Sequence, residues 1–414
     1  MMNNYIQTRE QMYRSIREQG MFTWDLTQGQ EYALGCCEVV TESFVHEIRE
    51  ATQKIGSLYE RLIHSLQQGS DELLSELGIP REAFPFCRTT LPLSFITAVG
   101  RFDFACTPKG IKMMEFNSDT PTSVVEAYYA NEQVCRFFGM ENPNHGMEIH
   151  ITRAFRQTVT AYQESGYSTD TKVFTSIGGH AEDEGTAKFL LRHSGIGGRF
   201  VPLSQVGISL DDHQVCYFDE GNWHPVDVLY RLHAGEFFAK DQTEQGYPIG
   251  AHILQLVAKK RLAMINPPSA FVAQTKAIQA LIWSLHEQNQ FFTTEEHKVI
   301  ETYFLPTYLD NEFCGKKPFV KKPILGREGG AVTLFSAEGE VIAKDGEGEY
   351  KDQMMIYQEL AELPTIEVET MKGPYRGKLL WGCFYVGGQA SALVTRLDRE
   401  ITGNLAYYLP FGYK

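Results

Sequence analysis

Apolar residues recur at helical spacing through most of the first 90 residues. In residues 43–69, SFVHEIREATQKIGSLYERLIHSLQQG, apolar side chains stand three and four positions apart, and Gly69 follows as a typical helix stop. This pattern predicts a helical N-terminal region over residues 1–90 that packs on the rest of the chain.

The pattern changes to β-branched and aromatic runs from about Thr97. The segments 97–106 (TAVGRFDFAC) and 111–116 (IKMMEF) are separated only by the turn residues TPKG, which predicts a β-hairpin. Helical spacing returns around residues 123–138 and 147–166.

A strand, a loop and a helix then follow, in segments 172–179 (KVFTSIGG) and 182–195 (EDEGTAKFLLRHSG). This order predicts a small α/β layer near residues 160–260. After a further helix at 275–290, strand-like apolar runs continue to the end of the chain, at 318–335, 340–344, 354–360, 378–388 and 391–397. The pattern as a whole predicts an α+β fold.

Composition and charge narrow the class of protein. The 414 residues, 43% of them apolar and 12% aromatic, can fill the cores of two or three domains of about 150 residues each. Lys and Arg number 38 against 52 Asp and Glu, so the formal charge is -14, which repels phosphodiester backbones and anionic lipids. We therefore expect neither nucleic acid nor a membrane as a partner.

The N-terminal segment and the cysteines indicate a cytoplasmic protein. Residues 1–20 are polar and charged throughout, unlike a signal peptide, and no run approaches the ~18 apolar residues of a membrane helix. The eight cysteines include the neighbours Cys36 and Cys37 but no CxxC spacing. We expect reduced, mostly buried thiols.

Several common catalytic and phosphate-binding motifs are absent from the sequence. It contains no GxxxxGK[ST] loop, no GxSxG elbow and no HExxH helix. The string GIGGRF at 195–200 lacks the last glycine of a dinucleotide fingerprint and follows a helix end, where we expect Gly195 to act as a cap.

Polar residues alternate with phenylalanines in the hairpin. Residues two apart on a strand share a face, so Arg101 and Asp103 point one way, and Glu115 and Asn117 also share a face. Whether the two pairs meet depends on the register of the hairpin.

A three-residue loop is the expected connection of this hairpin. Pairing Thr107 with Ile111 leaves Pro108-Lys109-Gly110 as the loop and sets Asp103 opposite Glu115, with the arginine opposite the asparagine. A loop one residue shorter would place the two polar pairs on opposite faces, so the site prediction depends on this turn.

Two carboxylates, an amide and an arginine on one strand face suit a divalent cation held against phosphate. On spacing alone, the same four residues are also compatible with a surface ladder of salt bridges. Residues 118–123 (SDTPTS) follow directly and then turn helical. They fit an ordinary helix cap and, equally, a helix start whose free N–H groups receive a carboxylate or phosphoryl group.

A second motif lies at residues 320–330. A strand with Lys322, a glycine-rich turn at 326–330 and a returning strand form a hairpin that can fold over polyphosphate, although tight hairpins use glycine in any case. Because side chains alternate along a strand, we expect Lys322 but not Lys321 to reach the ligand. About thirty residues later, Gln358 and Glu359 are candidates for contacts with adenine or ribose.

Together these strings resemble the synthetase domain of the glutathionylspermidine synthase family, which belongs to the ATP-grasp ligases. The matching segments run in order over most of the chain after about residue 90: GRFDF, MEFNSDTPTSVVEA, VFTSIGGHAEDEGTAKFLL, TKAIQALIW, FVKKPILGREGG, IYQEL and ITGN.

The resemblance implies ATP and Mg²⁺ as cofactors and assigns a role to each candidate residue. The metal ligands would be Asp103, Glu115 and Asn117. Arg101 would be the catalytic residue that contacts the transferred phosphoryl group, and Thr120 and Thr122 would lie near the acid substrate. The nucleotide-binding residues would be Lys276, Lys322, Gly326, Arg327, Gly329, Gly330, Gln358, Glu359 and Arg396. For Arg396, a solvated strand end remains an equal interpretation.

The resemblance also implies an ATP-grasp α+β fold with an inserted α/β layer of the pre-ATP-grasp type and a helical N-terminal region. The expected division is the N-terminal region 1–90, the first part of the core with the metal hairpin 91–160, the α/β substrate layer 161–260, the nucleotide-binding subdomain with the lid hairpin 261–350, and the return to the core 351–414. Nucleotide would lie between the lid, near 315–345, and the hairpin sheet.

The implied reaction is ATP-dependent amide formation between a carboxylate and an amine through an acyl phosphate, with release of ADP and phosphate. The amine is a candidate polyamine, since the negative charge of the chain attracts cations. The alternatives are an ATP-binding sensor and a kinase-like module that makes no amide.

Two departures from the family pattern limit these expectations. The bifunctional members carry an amidase domain before the synthetase, where this chain has about 90 helical residues, so hydrolase activity is not expected. The stretch LYRLHAGEFF at 229–238 lacks a tryptophan that we associate with this region. Glutathione and spermidine therefore do not follow as substrates from the resemblance.

Overall fold

The computed structural model describes residues 2–209, 211, 213–345 and 350–414. In this part of the chain the helices are α1 Met2–Glu18, α2 Glu42–Leu66, α3 Asp71–Glu76, α4 Phe84–Cys87, α5 Asn131–Phe138, α6 Glu148–Glu164, α7 Ala181–Ser194, α8 Gly235–Phe238, α9 Ile249–Ala258, α10 Pro268–Gln274, α11 Ala277–Glu287 and α12 Thr294–Tyr303. Two short 3₁₀ turns lie at Arg81–Ala83 and Leu203–Gln205, and a π-helical turn at Glu126–Ala130.

The strands are β1 Leu26–Thr27, β2 Gln30–Glu31, β3 Glu38–Val39, β4 Gly100–Thr107, β5 Gly110–Asn117, β6 Lys172–Ser176, β7 Arg199–Phe200, β8 Val206–Ile208, β9 Val215–Asp219, β10 Asn222–Pro225, β11 Val228–Leu232, β12 Ala263–Ile265, β13 Thr307–Tyr308, β14 Phe319–Pro323, β15 Thr333–Phe335, β16 Val341–Lys344, β17 Met355–Glu359, β18 Thr365–Thr370, β19 Gly373–Val386, β20 Gln389–Asp398 and β21 Phe411–Gly412. The mixed α+β content agrees with the sequence pattern.

The N-terminal region is helical only in part. Helices α1 and α2 form as expected, and Thr41 caps α2 by accepting a hydrogen bond from the Phe44 N–H. The prediction is wrong for the segment between α1 and α2, which is extended and carries three short strands. Long-range pairing accounts for this difference, because β3 pairs with β21 at the other end of the chain.

The hairpin β4–β5 lies in a five-stranded sheet with β18, β19 and β20. Strand β19 pairs with β4 along Trp381–Tyr385. The apolar face of the hairpin is buried, with the rings of Phe102 and Phe116 stacked at 3.8 Å and the ring of Tyr59 from α2 packed against both. This face anchors the hairpin, and the opposite face carries its polar residues.

The hairpin loop is one residue shorter than predicted, yet the polar pairs still meet. Thr107 pairs with Gly110, not with Ile111, and a β-bulge between Asp103 and Phe104 then shifts the register by one. The extra residue on β5 is Met114. The bulge restores the pairing of the two carboxylate-bearing positions, because one additional residue reverses the face exchange that the shorter loop imposes.

The predicted α/β layer is present. Strands β12, β11, β6 and β7 form a parallel sheet in that order, and α7 follows β6 directly. Gly195 ends α7 in the left-handed conformation, at φ 67°, which confirms its assignment as a cap.

The predicted lid hairpin is also present. Strands β14 and β15 pair antiparallel in a sheet of order β13-β17-β14-β15-β16, and residues 324–332 connect them. At the turn, Glu328 and Gly329 both have positive φ, 53° and 75°. The two largest apolar clusters among the described residues include the hairpin sheet with α2 and the parallel sheet with α6 and α7.

All eight cysteines are free, and Cys87, Cys135, Cys216 and Cys383 are buried. Among the described residues, none of the helices combines the length and the apolar character that crossing a membrane requires.

Candidate active site

The polar face of the hairpin is a connected group of charged and amide side chains. Arg101 donates to both carboxylate oxygens of Asp103, at 2.6 and 3.0 Å, and both side chains are almost fully buried. The Asn117 amide donates to Oδ2 of Asp103 and to Oε1 of Glu115, each at 3.2 Å. The structure thus brings together the four residues that the sequence placed on one face.

Two lysines from other elements complete this group. Lys276, directly before α11, lies with Nζ 3.2 Å from Oε2 of Glu115 and donates to the Gly326 carbonyl at 2.6 Å. Lys322 on β14 donates to the carbonyl of the bulged Met114 at 2.9 Å and to Oε1 of Gln358 at 2.8 Å. The bulge therefore supplies an acceptor for a buried lysine as well as the register.

Burial and mutual charge set the protonation of these groups. Burial by itself raises the pKa of Glu115, but Lys276 and Lys322 outweigh it and lower that pKa to about 2. Burial lowers the pKa of Lys322 to about 8, against the opposing effect of Glu115. Glu115 is thus ionised at neutral pH, while Lys322 titrates just above it.

These residues face a cavity between the lid and the hairpin sheet, which is where the sequence placed the nucleotide. Ten predicted site residues line it: Asp103, Glu115, Lys276, Lys322, Gly326, Gly329, Gly330, Gln358, Glu359 and Arg396. Apolar side chains line much of the rest, among them Leu305, Val320, Leu334, Leu363 and Leu380, and the polar residues Glu328, Glu400 and Thr402 also line it. Lys321 does not line this cavity.

Gln358 and Arg396, which were both predicted to contact nucleotide, also make contacts within the protein. The Gln358 amide donates to Gln279 and Thr307, at 2.7 and 3.0 Å, which fixes its orientation beside Lys322. Arg396 donates to the Gly403 carbonyl at 2.7 Å and lines the cavity, so it is not a solvated strand end.

Arg327 and the two threonines lie apart from the residues that line the cavity. Arg327 pairs with Glu236 of α8 at 3.0 Å and donates to the Thr120 hydroxyl at 2.7 Å. The Thr122 carbonyl accepts from Arg101 at 2.7 Å. These contacts connect the residue 324–332 turn with α8 and with the loop after β5.

The loop after β5 becomes helical directly after residues 118–123, as the sequence pattern suggested. Helical structure begins at Val124, so Pro121 precedes the helix, and Ser123 takes a positive φ of 62°. Tertiary contacts hold the extended loop, since Gln274 Oε1 accepts from the backbone N–H groups of Ser118 and Asp119, both at 3.0 Å.

A buried ion pair that was not predicted from the sequence positions the loop after β5. Arg231 on β11 donates to both oxygens of Asp119 at 2.9 Å, and both side chains are at most 1% exposed. The Asn266 amide also donates to the Asp119 carbonyl. Arg231 lies in the stretch LYRLHAGEFF, but only the fold shows that it faces Asp119.

An acidic group near the cavity was also missed. Burial and the charge of Glu126 raise the pKa of Glu182, at the start of α7, to about 8. Burial raises the pKa of the adjacent Asp183 as well. Arg396 and Glu328 line the cavity, and their charges influence the pKa of Glu182. The acidic start of α7 is therefore near the cavity.

The hairpin face fits a magnesium ion. The Asn117 amide lies within hydrogen-bond distance of both the Asp103 and the Glu115 carboxylates. Carboxylate and amide oxygens suit Mg²⁺, which keeps most of its coordination for water and phosphate. The cavity also suits a polyphosphate, since Lys276, Lys322 and Arg396 line it together with lid glycines.

A comparison with models of protein families identifies the family of this chain. A family model described as "Glutathionylspermidine synthase preATP-grasp" matches residues 3–413. The chain belongs to this family. Membership confirms the resemblance in the sequence and implies the use of ATP.

Individual relatives of this family member are distant. It is 25% identical over 320 residues to a Haemophilus influenzae protein named as an acid–amine ligase, covering 75% of this chain and 73% of that protein. It is 23% identical over 385 residues to the bifunctional glutathionylspermidine synthetase/amidase of Escherichia coli, covering 87% of this chain and 56% of that protein. The chain thus spans about half the length of the bifunctional relative.

A solved structure shares the fold of this family member. The glutathione synthetase-like effector of Globodera pallida superposes with a TM-score of 0.61 at 13% identity, covering 99% of this chain and 96% of that one. At this identity the likeness concerns the fold alone.

Proposed function

We propose that the protein is an ATP- and magnesium-dependent ligase that joins a carboxylate to an amine, with an acyl phosphate as intermediate. One observation carries the proposal: a lid hairpin and a carboxylate-bearing hairpin enclose a cavity in which Lys276, Lys322 and Arg396 face Asp103 and Glu115. The names of the distant relatives, an acid–amine ligase and a glutathionylspermidine synthetase/amidase, support the same reaction class.

The first step is the attack of a carboxylate oxygen on the γ-phosphorus of ATP. A new O–P bond forms, the bond to the bridging oxygen breaks, and ADP leaves. In this proposal Lys276 and Lys322 bind the phosphates and Arg101 neutralises the charge that develops on the transferred group. Bound magnesium, held by Asp103, Glu115 and Asn117, would supply further neutralisation of the phosphate charge.

Ligand binding would exchange charge partners inside the site. Arg101 pairs with Asp103, and Lys276 with Glu115, so each cation is neutralised by a proposed metal ligand. If these carboxylates held Mg²⁺, Arg101 and Lys276 would be available to phosphate oxygens. The internal ion pairs would then be replaced by ligand contacts, and no charge in the interior would be left unpaired.

The second step is the attack of the amine nitrogen on the acyl phosphate, with phosphate as the leaving group. The charge of Asp183 raises the pKa of Glu182, and the charges of Arg396 and Glu328 from the cavity lining also act on Glu182, so a cationic amine near this acidic pair would relieve an unfavourable arrangement. The Arg327 guanidinium donates to the Thr120 hydroxyl, and a guanidinium beside a hydroxyl suits a carboxylate-bearing acid substrate.

The test is phosphate release from Mg-ATP across a panel of peptides and amino acids, each supplied with polyamines, ammonia or amino acids, with mass spectrometry of the products. The expected result is ADP formation only when an acid and an amine are both present, with their condensed mass. Lys276→Met should abolish it, and the matched surface variant Lys321→Met should not. A phosphorylated product without amine would indicate a kinase, and tight ATP binding without turnover would indicate a sensor.

A further inference from the structure

A second cavity lies between α2, α6 and the turn that joins β19 to β20. Its volume is about 310 Å³, and none of its lining residues lines the candidate active-site cavity. Pockets that bind small molecules begin at about this size, and a few polar or charged groups fix the ligand within them. The second cavity offers six such side chains, namely Glu60, Ser94, His150, Arg153, Gln157 and Gln389.

Helix α6 contributes the positive charge of the second cavity. His150, Arg153 and Gln157 stand three and four positions apart and so share one face of the helix. Arg153 forms no hydrogen bond and no ion pair within the described part of the chain. A guanidinium group binds a carboxylate through two parallel N–H donors. In a chain of net charge -14, an arginine beside a cavity and without an acidic partner favours a ligand of this kind.

His150 is prepared as a second hydrogen-bond donor. Its Nδ1 lies 3.0 Å from Oγ of Ser391, and this oxygen already accepts from the Tyr128 hydroxyl at 2.9 Å. The Ser391 hydroxyl therefore donates to Nδ1, which places the proton of the neutral ring on Nε2. Burial and the charges of Arg153 and Arg49 lower the pKa of His150, so the neutral ring predominates at pH 8. Its Nε2–H is then free to donate to a carboxylate.

Helix α2 contributes the negative charge of the second cavity. Oε1 of Glu60 accepts from the Tyr385 hydroxyl at 2.7 Å, whereas Oε2 has no hydrogen-bond partner among the described residues. Burial raises the pKa of Glu60 to about 7, against the opposing effect of the Tyr385 hydrogen bond. A cation beside Oε2 would stabilise the charged carboxylate. Glu60 thus suits an ammonium group.

The turn between β19 and β20 brings the two charged helices to one small space. Gly387 and Gly388 both have positive φ, 55° and 82°. A Cβ built on Gly387 would lie 2.8 Å from Cβ of Ala154, the residue after Arg153, and a Cβ built on Gly388 would lie 3.4 Å from Oε1 of Glu60. Because consecutive Cα atoms are about 3.8 Å apart, α6 and the Glu60 carboxylate border neighbouring positions of the turn.

We propose that the second cavity binds a small amino acid as a zwitterion, with its carboxylate at Arg153 and His150 and its ammonium group at Glu60. A ligand with one charge would leave either the guanidinium or the carboxylate of the protein uncompensated, whereas a zwitterion pairs with both. The site is separate from the candidate active-site cavity, so the inference does not depend on the proposed ligase function.

Binding to the full-length protein is measured by ligand-observed NMR titration at pH 8, where the Glu60 carboxylate is ionised. Glycine, β-alanine and 4-aminobutyrate place the two charges at increasing separation, and N-acetylglycine and ethylamine each lack one charge. At least one of the three amino acids should bind roughly tenfold or more tightly than both single-charge probes, the scale of one charge-assisted contact. N-acetylglycine that binds as tightly would indicate a simple anion site and overturn the proposal, and so would three amino acids that do not bind.

Variants locate the bound amino acid. Arg153→Gln and Glu60→Gln should each weaken its binding by roughly tenfold or more. Arg156→Gln and Glu50→Gln, on the same two helices but outside the cavity lining, should keep the wild-type affinity. Glutamine at position 60 retains an acceptor for the Tyr385 hydroxyl, and thermal melting verifies the fold. Affinity that is unchanged in both cavity variants would place the amino acid elsewhere and overturn the proposal. If a variant does not fold, the comparison of probes on wild type still decides.

Discussion

Lys322 should make nucleotide binding depend on pH in a range where most protein charges are constant. Lys322 as a whole residue is 6% exposed, and burial lowers the pKa of its ammonium group to about 8. If only the charged form binds the phosphates of ATP, the competent fraction falls from about nine-tenths at pH 7 to about one-tenth at pH 9. The Kd for a magnesium complex of a non-hydrolysable ATP analogue should therefore rise about tenfold over this interval.

Three variants give this prediction its controls. Lys322→Arg keeps its charge throughout the range and should bind with a flat pH profile. Lys322→Met should also give a flat profile but weaker binding, by ~10- to 150-fold, because a charge-assisted contact contributes ~1.5–3 kcal/mol. Lys321→Met, altered on the opposite face of β14, should keep the wild-type slope. Calorimetric titration measures all four proteins, and a wild-type Kd that does not change from pH 7 to 9 would refute the reasoning.

The stability of the free protein should change with pH in the opposite direction. The pKa of Lys322 is about 8 in the folded chain and 10.5 in the reference state, so between these values the unfolded chain binds more protons. Relative to Lys322→Met, wild type should gain roughly 3 kcal/mol of unfolding free energy as pH rises from 8 to 10.5. Urea unfolding at both pH values measures this gain, and a difference that stays constant with pH would contradict it.

Three further predictions concern the metal, the lid and the loop after β5. Asp103→Asn and Glu115→Gln should each lower magnesium-dependent turnover by roughly 100-fold or more while the fold survives, and wild-type turnover in both would leave only a salt-bridge ladder. Hydrogen exchange across residues 318–335 should slow when Mg²⁺ and an ATP analogue bind, because a phosphate-covering hairpin has few core contacts when empty, and identical exchange would count against a lid. Arg231→Met should cost ~3–5 kcal/mol in urea unfolding, since it leaves Asp119 charged and buried, and a cost below ~1 kcal/mol would show that the pair does not position the loop.

Local pattern was sufficient to locate the elements that carry the candidate site. Alternation of polar and aromatic residues predicted the β4–β5 hairpin, and the glycine-rich turn predicted the lid. Both signals are local, because strand periodicity and turn chemistry act over a few residues. The site residues on these elements follow from the same periodicity, and the family resemblance indicated which of them face one ligand.

Tertiary structure decided the register of the hairpin and the course of the N-terminal segment. The shorter loop alone would have separated Asp103 from Glu115, and the bulge at Met114 restores their pairing. That bulge is stabilised by Lys322, which is more than 200 residues away in sequence and donates to the Met114 carbonyl. No local pattern contains this contact.

The same reason applies to the residues that sequence analysis missed. Arg231 gains its significance from Asp119, 112 residues away in sequence, so spacing along the chain cannot reveal it. By itself the sequence determined which chemical groups the protein carries and on which strand or turn each one lies. The fold alone decided which groups are buried together, because burial and long-range pairing set their charge, orientation and partners.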